Sequence, residues 1–148
     1  MWPFWDYGSN EVGGFLLAEK IKLASRVYII GNGGSYANAV HICNDLLMCG
    51  IKAFTLDPAT LTASANDFGY QTVFERWIET VGEKSDLLVA LSGSGKSPNI
   101  LRACEAAERI GMTVHREFGA AQGFDMQASE ERQIWLGHEL MRALRDRR

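Results

Sequence analysis

Two glycine- and serine-rich turns constrain the fold of this chain more than any other feature. Residues 31–35 read Gly-Asn-Gly-Gly-Ser, and residues 92–97 read Ser-Gly-Ser-Gly-Lys-Ser. Each turn follows a short apolar run and precedes a segment with helical periodicity. Glycine lets the backbone approach an anion closely, and the N-terminal end of a helix attracts phosphate. Because hydroxyls and an amide beside these turns suit a polyol, we predict a pocket for a sugar phosphate.

Strand-like runs alternate with helical segments along the chain, which indicates a parallel sheet between helices. Ser97 and Pro98 form a helix start, and Gly111 marks its end. The apolar side of this helix, formed by Leu101, Cys104 and Ala107, is expected to face the sheet. The predicted strands are residues 27–30, 53–56, 87–91 and 113–118. Residues 1–148 are predicted to form one domain, with an N-terminal helix at 9–25, a phosphosugar-binding core at 27–114 and a C-terminal helix at about 129–147.

Length, charge and cysteine content exclude several classes of protein. A chain of 148 residues that is 47% hydrophobic suffices for one domain with a core. A net charge of −3 argues against direct binding of nucleic acid. The three cysteines show no CxxC spacing, so we expect neither a disulfide framework nor a zinc knuckle. The sequence has no membrane-length apolar run, and residues 1–5 do not resemble a signal peptide. We therefore predict a soluble cytoplasmic protein with no membrane partner.

Neither glycine turn matches a nucleotide-binding motif. Residues 95–97 resemble the end of a P-loop, but Ala90 occupies the place of the required first glycine. Gly31 and Gly33 are followed by Tyr36, where the dinucleotide fingerprint needs a third glycine. No nucleotide cofactor is therefore expected.

Histidines and carboxylates on two predicted helices are candidates for chemistry. His41 and Asp45 lie four residues apart and share a helical face, where such a pair can bind a divalent metal or move protons. An ordinary surface pair or a hydrogen-bonded histidine explains the same spacing. Glu130 and His138 are separated by about 12 Å of helical rise. If both serve one chemistry, they would more naturally reach two copies of a site built across a subunit interface.

Two further segments carry unusual residues. Residues 115–117 read His-Arg-Glu and are predicted to form a solvated edge strand. Trp2, Phe4, Trp5 and Tyr7 cluster before the first helix, where we expect them to pack on the core or on a sister subunit.

These residues together resemble the SIS (sugar isomerase) domain family, and specifically its phosphoheptose isomerase branch. The first glycine turn, followed by Asn38, His41 and Asp45, is similar to that branch's phosphosugar loop and its histidine/glutamate helix. The second turn is similar to its serine-rich phosphate loop. The remaining matches are Leu61-Thr62-Ala63 leading to Asn66-Asp67, Phe74-Glu75-Arg76, and Glu130 with His138.

The resemblance implies a three-layer α/β/α sandwich with a flavodoxin-like parallel sheet. It also implies a homo-oligomer, a tetramer or dimer, with active sites between subunits. The implied reaction interconverts sedoheptulose 7-phosphate and D-glycero-D-manno-heptose 7-phosphate by acid/base enediol chemistry, in heptose biosynthesis for bacterial surface lipopolysaccharide. Asp45 and His138 would be the catalytic pair. Zinc occurs in some members, and the implied metal ligands are His41, Asp45, Glu130 and His138. The implied substrate-binding residues are Asn32, Gly33, Ser35, Asn66, Asp67, Ser92, Gly93, Ser94, Ser97 and Glu130.

The chain departs from the family pattern in ways that leave a second function open. Asp45 stands where the family has glutamate, and Glu130 stands where it has glutamine. The N-terminal part is short, and residues 111–130 are too few for a complete fifth strand. The alternative is a non-catalytic SIS protein, either a phosphosugar sensor or an adaptor that resembles the SIS protein that binds the bacterial replication initiator. Such a binder needs the phosphate loops but not the acid/base residues.

Overall fold

The structure, a computed structural model, describes residues 11–145. Within this range, helices alternate with short strands as the sequence predicts. No helix in the described range is both long and apolar enough to cross a membrane. The elements are α1 (Glu11–Leu23), β1 (Val27–Ile30), α2 (Gly34–Met48), β2 (Ala53–Phe54), α3 (Pro58–Phe68), α4 (Val73–Val81), β3 (Leu87–Ser92), α5 (Pro98–Ile110), β4 (Thr113–Phe118) and α6 (Met126–Leu144), with 3-10 turns at Tyr70–Thr72 and Gly119–Gln122.

The four described strands form one parallel sheet in the order β2-β1-β3-β4. Val27 of β1 pairs with Ala53 of β2 on one side and with Leu87 of β3 on the other. Every residue of β1 and β3 is buried, as expected for central parallel strands covered on both faces. The chain passes from β1 to β2 on one side of β1 and then to β3 and β4 on the other side, so the strand order reverses between β1 and β3. Ligands bind at such switch points in open α/β sheets, at the carboxyl ends of the strands, where both glycine turns lie.

Helices cover both faces of the sheet, which confirms the predicted three-layer α/β/α architecture. On one face, α1, α2 and α6 contribute side chains such as Leu17, Ile42 and Leu136 to one buried cluster. On the other face, α4 and α5 contribute Phe74 and Ile100 to a second cluster. Helix α6 packs along both α1 and α2, and this packing brings residues from the two ends of the chain together.

The element boundaries follow the predictions with small shifts. Strand β1 and strand β4 match their predicted ranges, β2 is shorter and β3 is one residue longer. Helix α6 begins at Met126 rather than near residue 129. The aromatic cluster at residues 2–7, residues 9 and 10 of the predicted first helix, and residues 146–147 of the predicted last helix lie outside the described residues. No fifth strand is present between 11 and 145.

The predicted orientation of Leu101 toward the sheet is wrong. Leu101 is 36% exposed, because Ile100, Ala103, Cys104 and Ala107 occupy the buried face of α5 and Leu101 lies about 100° around the helix from Ile100.

Residues 115–117 lie on an edge strand, but they are not uniformly solvated. Glu117 is only 6% exposed. Its carboxylate accepts a hydrogen bond from Gln122 and lies beside His115, and the guanidinium of Arg132 compensates its charge.

Candidate functional site

The two glycine turns need glycine because of their backbone geometry. Gly33 has φ of 57° and Gly95 has φ of 67°, a region that is strained for residues with a side chain. At Gly31 the problem is space, since a Cβ there would lie 2.6 Å from the backbone carbon of Ser35. The first turn is therefore folded tightly against the beginning of α2.

A small cavity of about 60 Å³ lies between the two turns. Met126, which is 49% exposed, forms part of its wall. Six of the predicted substrate-binding residues line the cavity, so the fold brings them together although the two turns are about 60 residues apart. The lining residues are Asn32, Ser35, Leu91, Ser92, Gly93, Ser94, Ser97 and Met126.

Three serine hydroxyls in this cavity are held in the same way. The Oγ of Ser92 accepts a hydrogen bond from the backbone N–H of Gly95 at 2.9 Å, and the Oγ of Ser94 accepts one from Lys96 at 3.1 Å. The Oγ of Ser35 accepts one from the side chain of Gln133 at 3.0 Å. No acceptor for the three hydroxyl protons is found among the described residues, so each proton is available to a ligand. Three such donors around one cavity suit an anion such as phosphate.

Sequence reasoning missed three residues that hold these groups in place. Gln133 is 1% exposed and connects Ser35 to Asn38 on α2. Tyr70 and Asn99 both hydrogen-bond the side chain of Asn32. The position of Asn99 in the first turn of α5, directly after the second glycine turn, was the one available signal. Tyr70 and Gln133 carry no local pattern that predicts these contacts.

A second group of polar side chains forms where α2 packs against α6. The Nε2 atoms of His41 and His138 lie 3.2 Å apart, and the Nε2 of His41 lies 3.4 Å from the Oδ2 of Asp45. One ligand atom from each of the three residues lies within 4.8 Å of the other two. Asp45 is 5% exposed, and its Oδ2 is buried without a hydrogen-bond partner. The His41 side chain is 46% exposed and connects the group to solvent.

The geometry of this group fits a metal ion. Zinc binds histidine nitrogens at about 2.0–2.1 Å, so two nitrogens on one tetrahedral ion lie roughly 3.3 Å apart. The observed Nε2–Nε2 distance of 3.2 Å agrees with this spacing, and the unpartnered Asp45 oxygen supplies a third donor. Cys43 on the same helix lies in the buried apolar cluster and not in this group, and burial raises the pKa of its thiol to about 12.

Glu130 lies apart from the His41, Asp45 and His138 group. Its carboxylate packs against Gly34 in the first turn of α2, where a Cβ would fall 2.2 Å from Oε1. The structure therefore brings Glu130 to the first glycine turn and not to the group that fits a metal. His138 meets His41 of its own chain, because α6 runs along α2.

Asn66 and Asp67 also lie away from the cavity between the two turns. They are exposed on α3, where the Asn66 side chain donates a hydrogen bond to Asp67 at 3.1 Å. Asp67 lines a larger groove of about 620 Å³ between α3 and α4.

Comparison with known proteins agrees with the fold and identifies the family. Residues 12–115 match the family model of the SIS domain. The chain is 39% identical over 137 residues to a phosphoheptose isomerase of Sodalis glossinidius (strain morsitans), an alignment that covers 88% of this chain and 70% of that relative. It is 40% identical over 114 residues to a phosphoheptose isomerase of Campylobacter jejuni subsp. jejuni serotype O:6, with 71% of this chain and 61% of the relative covered.

The solved structure of a phosphoheptose isomerase from Neisseria gonorrhoeae matches with a TM-score of 0.80 and 25% identity, over 95% of this chain and 88% of that one. The chain is therefore an SIS-domain protein. Within that class it belongs to the phosphoheptose isomerase family, which confirms the predicted resemblance. It spans about three fifths to seven tenths of the length of the two curated relatives described above.

Proposed function

We propose that this protein is an aldose/ketose isomerase that interconverts sedoheptulose 7-phosphate and D-glycero-D-manno-heptose 7-phosphate. The proposal rests on one observation. His41, Asp45 and His138 come together between α2 and α6, and both of these helices begin at the cavity that suits a phosphate. A binding protein needs the cavity alone, whereas an isomerase also needs an acid and a base. Membership of the phosphoheptose isomerase family supports the same reaction.

The arrangement of the two groups along α2 suits an elongated substrate. Ser35 lies in the first turn of α2, and His41 lies six residues later, which corresponds to about 9 Å of helical rise. In the proposed complex, Ser35, Ser92, Ser94 and Ser97 bind the phosphate with their hydroxyl protons. The sugar chain then extends along α2 toward His41.

The remaining predicted substrate contacts fall into two groups, one at the start of this path and one on α3. Asn32, Gly33 and Gly93 border the sugar at the two turns. The carboxylate of Glu130 accepts hydrogen bonds from sugar hydroxyls near the start of α2. Asn66 and Asp67 are proposed as further sugar contacts from α3.

Asp45 and His138 are the proposed acid/base pair. Asp45 removes a proton from the carbon beside the carbonyl group, and His138 donates a proton to the carbonyl oxygen, which gives the enediol. Return of a proton to the neighbouring carbon, with loss of the proton from the other enediol hydroxyl, completes the isomerisation. The unpartnered Oδ2 of Asp45 supports its assignment as the base. A zinc ion bound by His41, Asp45 and His138 would occupy these same nitrogen and oxygen atoms and would supply electrophilic stabilisation of negative charge, so the acid/base pair describes the site without the ion.

We further propose that the protein is a cytoplasmic homo-oligomer, a tetramer or dimer, whose product enters bacterial surface glycan synthesis. Support for self-association comes from large apolar side chains that remain exposed on α1 and α2, including Phe15, Leu23 and Leu47.

The test is turnover of sedoheptulose 7-phosphate by the purified protein, with and without added zinc, with the heptose product followed by NMR. Asp45→Asn and His138→Asn should each lower kcat by roughly 10²- to 10⁴-fold and leave binding of the sugar phosphate largely intact. Glu105→Gln, an exposed carboxylate on α5, is the matched control and should keep full turnover. Full activity in both site variants would refute the acid/base assignment. Tight binding without turnover, in an oligomer supplied with zinc, would instead identify a regulatory SIS protein.

A further inference from the structure

Two side chains from other parts of the fold, those of Tyr70 and Asn99, meet at Asn32 in the turn between β1 and α2. The Oδ1 of Asn32 accepts a hydrogen bond from the Tyr70 hydroxyl at 2.6 Å and another from Nδ2 of Asn99 at 2.8 Å. The Nδ2 of Asn32 donates to Oδ1 of Asn99 at 2.9 Å. Tyr70 lies in the turn after α3, and Asn99 lies in the first turn of α5. Asn32 is therefore held by side chains from two other segments of the chain.

The backbone of α5 determines which way both amides are oriented. The backbone N–H of Ile100 donates to Oδ1 of Asn99 at 3.0 Å. Because an N–H group needs an acceptor, the side-chain atom of Asn99 next to Ile100 must be Oδ1. The other terminal atom of Asn99 is therefore Nδ2, and it donates to Asn32. Because Nδ2 of Asn99 donates, the atom it contacts on Asn32 is Oδ1. Asn99 is 2% exposed, so its own amide is shielded from water.

The hydrogen-bonding capacity that remains on Asn32 follows by counting. An asparagine amide has two N–H donors and an oxygen that accepts two hydrogen bonds. Tyr70 and Asn99 occupy both acceptor positions, and Asn99 occupies one donor. Within the described residues, one N–H of Asn32 is left for a ligand in the cavity that Asn32 lines.

We propose that Tyr70 and Asn99 are positioning residues that hold Asn32 as a one-proton donor to a ligand oxygen. The inference rests on the proposed function, because the ligand oxygen is taken to belong to the sugar phosphate. A hydroxyl, carbonyl or phosphoryl oxygen of the ligand can accept a hydrogen bond from the remaining N–H of Asn32. A protonated amine in the same position cannot accept it, because it has no lone pair. The two residues thus select an oxygen at this position of the substrate.

The experiment compares Tyr70→Phe with the wild type and with Tyr28→Phe. Tyr28 is a matched control, because its hydroxyl donates to the backbone oxygen of Val81 at 3.1 Å and not to Asn32. For each protein we would measure kcat and KM for sedoheptulose 7-phosphate, the inhibition constant of inorganic phosphate, and the side-chain amide NMR signals of Asn32.

Tyr70→Phe removes one of the two hydrogen bonds that Oδ1 of Asn32 accepts and leaves both contacts with Asn99, so the Asn32 amide is held less firmly. We expect KM to rise by roughly 2- to 10-fold with kcat unchanged, as for a contact made equally in ground and transition states. The Asn32 amide protons should exchange faster with solvent. An unchanged inhibition constant for phosphate locates the oxygen on the sugar, whereas a parallel rise locates it on the phosphoryl group. Both results support the assignment of Asn32 as a donor.

A second variant, Asn99→Asp, keeps the acceptor for the backbone N–H of Ile100 but removes the donor to Asn32. It should reproduce the rise in KM.

Three results would overturn the inference, and they differ in whether the proposed function fails with it. If wild type turns over the substrate and Tyr70→Phe has the same KM and the same Asn32 signals, the positioning role fails and the proposed function stands. If wild type neither binds nor turns over the sugar phosphate, both fail together. A rise in KM in Tyr28→Phe equal to that in Tyr70→Phe would show a general structural effect and would also reject the inference.

Discussion

Glu117 shows how a charged residue is accommodated at the edge of this sheet. Glu117 and Arg132 are only 6% and 3% exposed. Arg132 Nε lies 3.4 Å from one carboxylate oxygen, to which Gln122 also donates at 2.9 Å, and His115 Nε2 lies 3.3 Å from the other oxygen. Burial opposes ionisation, but hydrogen bonds from His115 and Gln122 and the charge of Arg132 lower the pKa of Glu117. Glu117 therefore remains a carboxylate and compensates the buried guanidinium.

Removing that carboxylate should be costly. Glu117→Gln leaves Arg132 as an uncompensated buried charge, so we expect the free energy of unfolding at pH 7 to fall by about 3–5 kcal/mol. Urea denaturation measures this change. The control is Glu108→Gln, which breaks the exposed ion pair with Arg116 and should cost about 0–1 kcal/mol. Equal losses in the two variants would show that the Glu117 carboxylate has no special role.

The same carboxylate should contribute to acid sensitivity. Because the pKa of Glu117 is lower in the folded than in the unfolded protein, its stabilisation is complete above the ordinary glutamate pKa. It is lost as the pH falls toward the folded-state value. Glu117→Gln should therefore show a shallower fall in stability than wild type below about pH 4. If stability falls equally steeply in wild type and in Glu117→Gln at acid pH, this account of Glu117 is wrong.

At the scale of elements, α3 differs from its neighbours because it buries no residue. Its start is defined by Asp57, whose Oδ1 accepts a hydrogen bond from the backbone N–H of Thr60 at 2.9 Å, and by Pro58 in the first turn. That backbone hydrogen bond lowers the pKa of Asp57. Since packing contributes little here, the cap is the main local support of the helix that carries Asn66 and Asp67.

Asp57→Ala should loosen α3 without unfolding the sheet. We expect amide exchange in α3 to accelerate by roughly fivefold, because the cap acceptor is lost, while amides of β1 and β3 keep their protection. Hydrogen exchange followed by NMR gives both readings in one experiment. Asp57→Asn keeps an acceptor at the cap and should behave nearly as wild type. Uniform acceleration across sheet and helix would mean that Asp57 supports the whole domain.

The elements were predictable where a local pattern determines them. The apolar runs of β1 and β3 identified central strands, and the spacing of His41 and Asp45 placed both on one face of α2. Contacts between distant residues could not be predicted in this way. His41 and His138 are 97 residues apart, and their approach depends on how α6 packs along α2.

The same limit applies to the residues around the two turns. The hydrogen bond of Tyr70 to Asn32 depends on where the turn after α3 is placed by the fold. The approach of Glu130 to Gly34 depends on the packing of α6 against α2. Neither contact has a signature in local periodicity, because each joins segments whose relative position is determined by tertiary packing.

At the scale of the whole molecule, two helix surfaces are more apolar than a solvated surface requires. Helix α1 buries Leu17 and Ile21, yet on its other sides Phe15, Leu16 and Leu23 are 64%, 55% and 87% exposed. Helix α2 exposes an uncharged stripe that flanks His41, which we call the α2 stripe. Contiguous exposed apolar surface of this kind marks an interaction site. The residues of the α2 stripe are Ala37, Val40, Asn44, Leu47 and Met48.

The α2 stripe predicts that copies of the chain associate through this face. Light scattering of wild type should give a multiple of the 16.4 kDa chain mass. Leu47→Glu should shift the mass toward 16.4 kDa, because a charge on the α2 stripe would have to be desolvated in the interface. Leu101→Glu makes the same change on α5, on the opposite face of the sheet, and should leave the mass unchanged. A wild-type mass of one chain, or equal dissociation by both variants, would reject the α2 stripe as the interface.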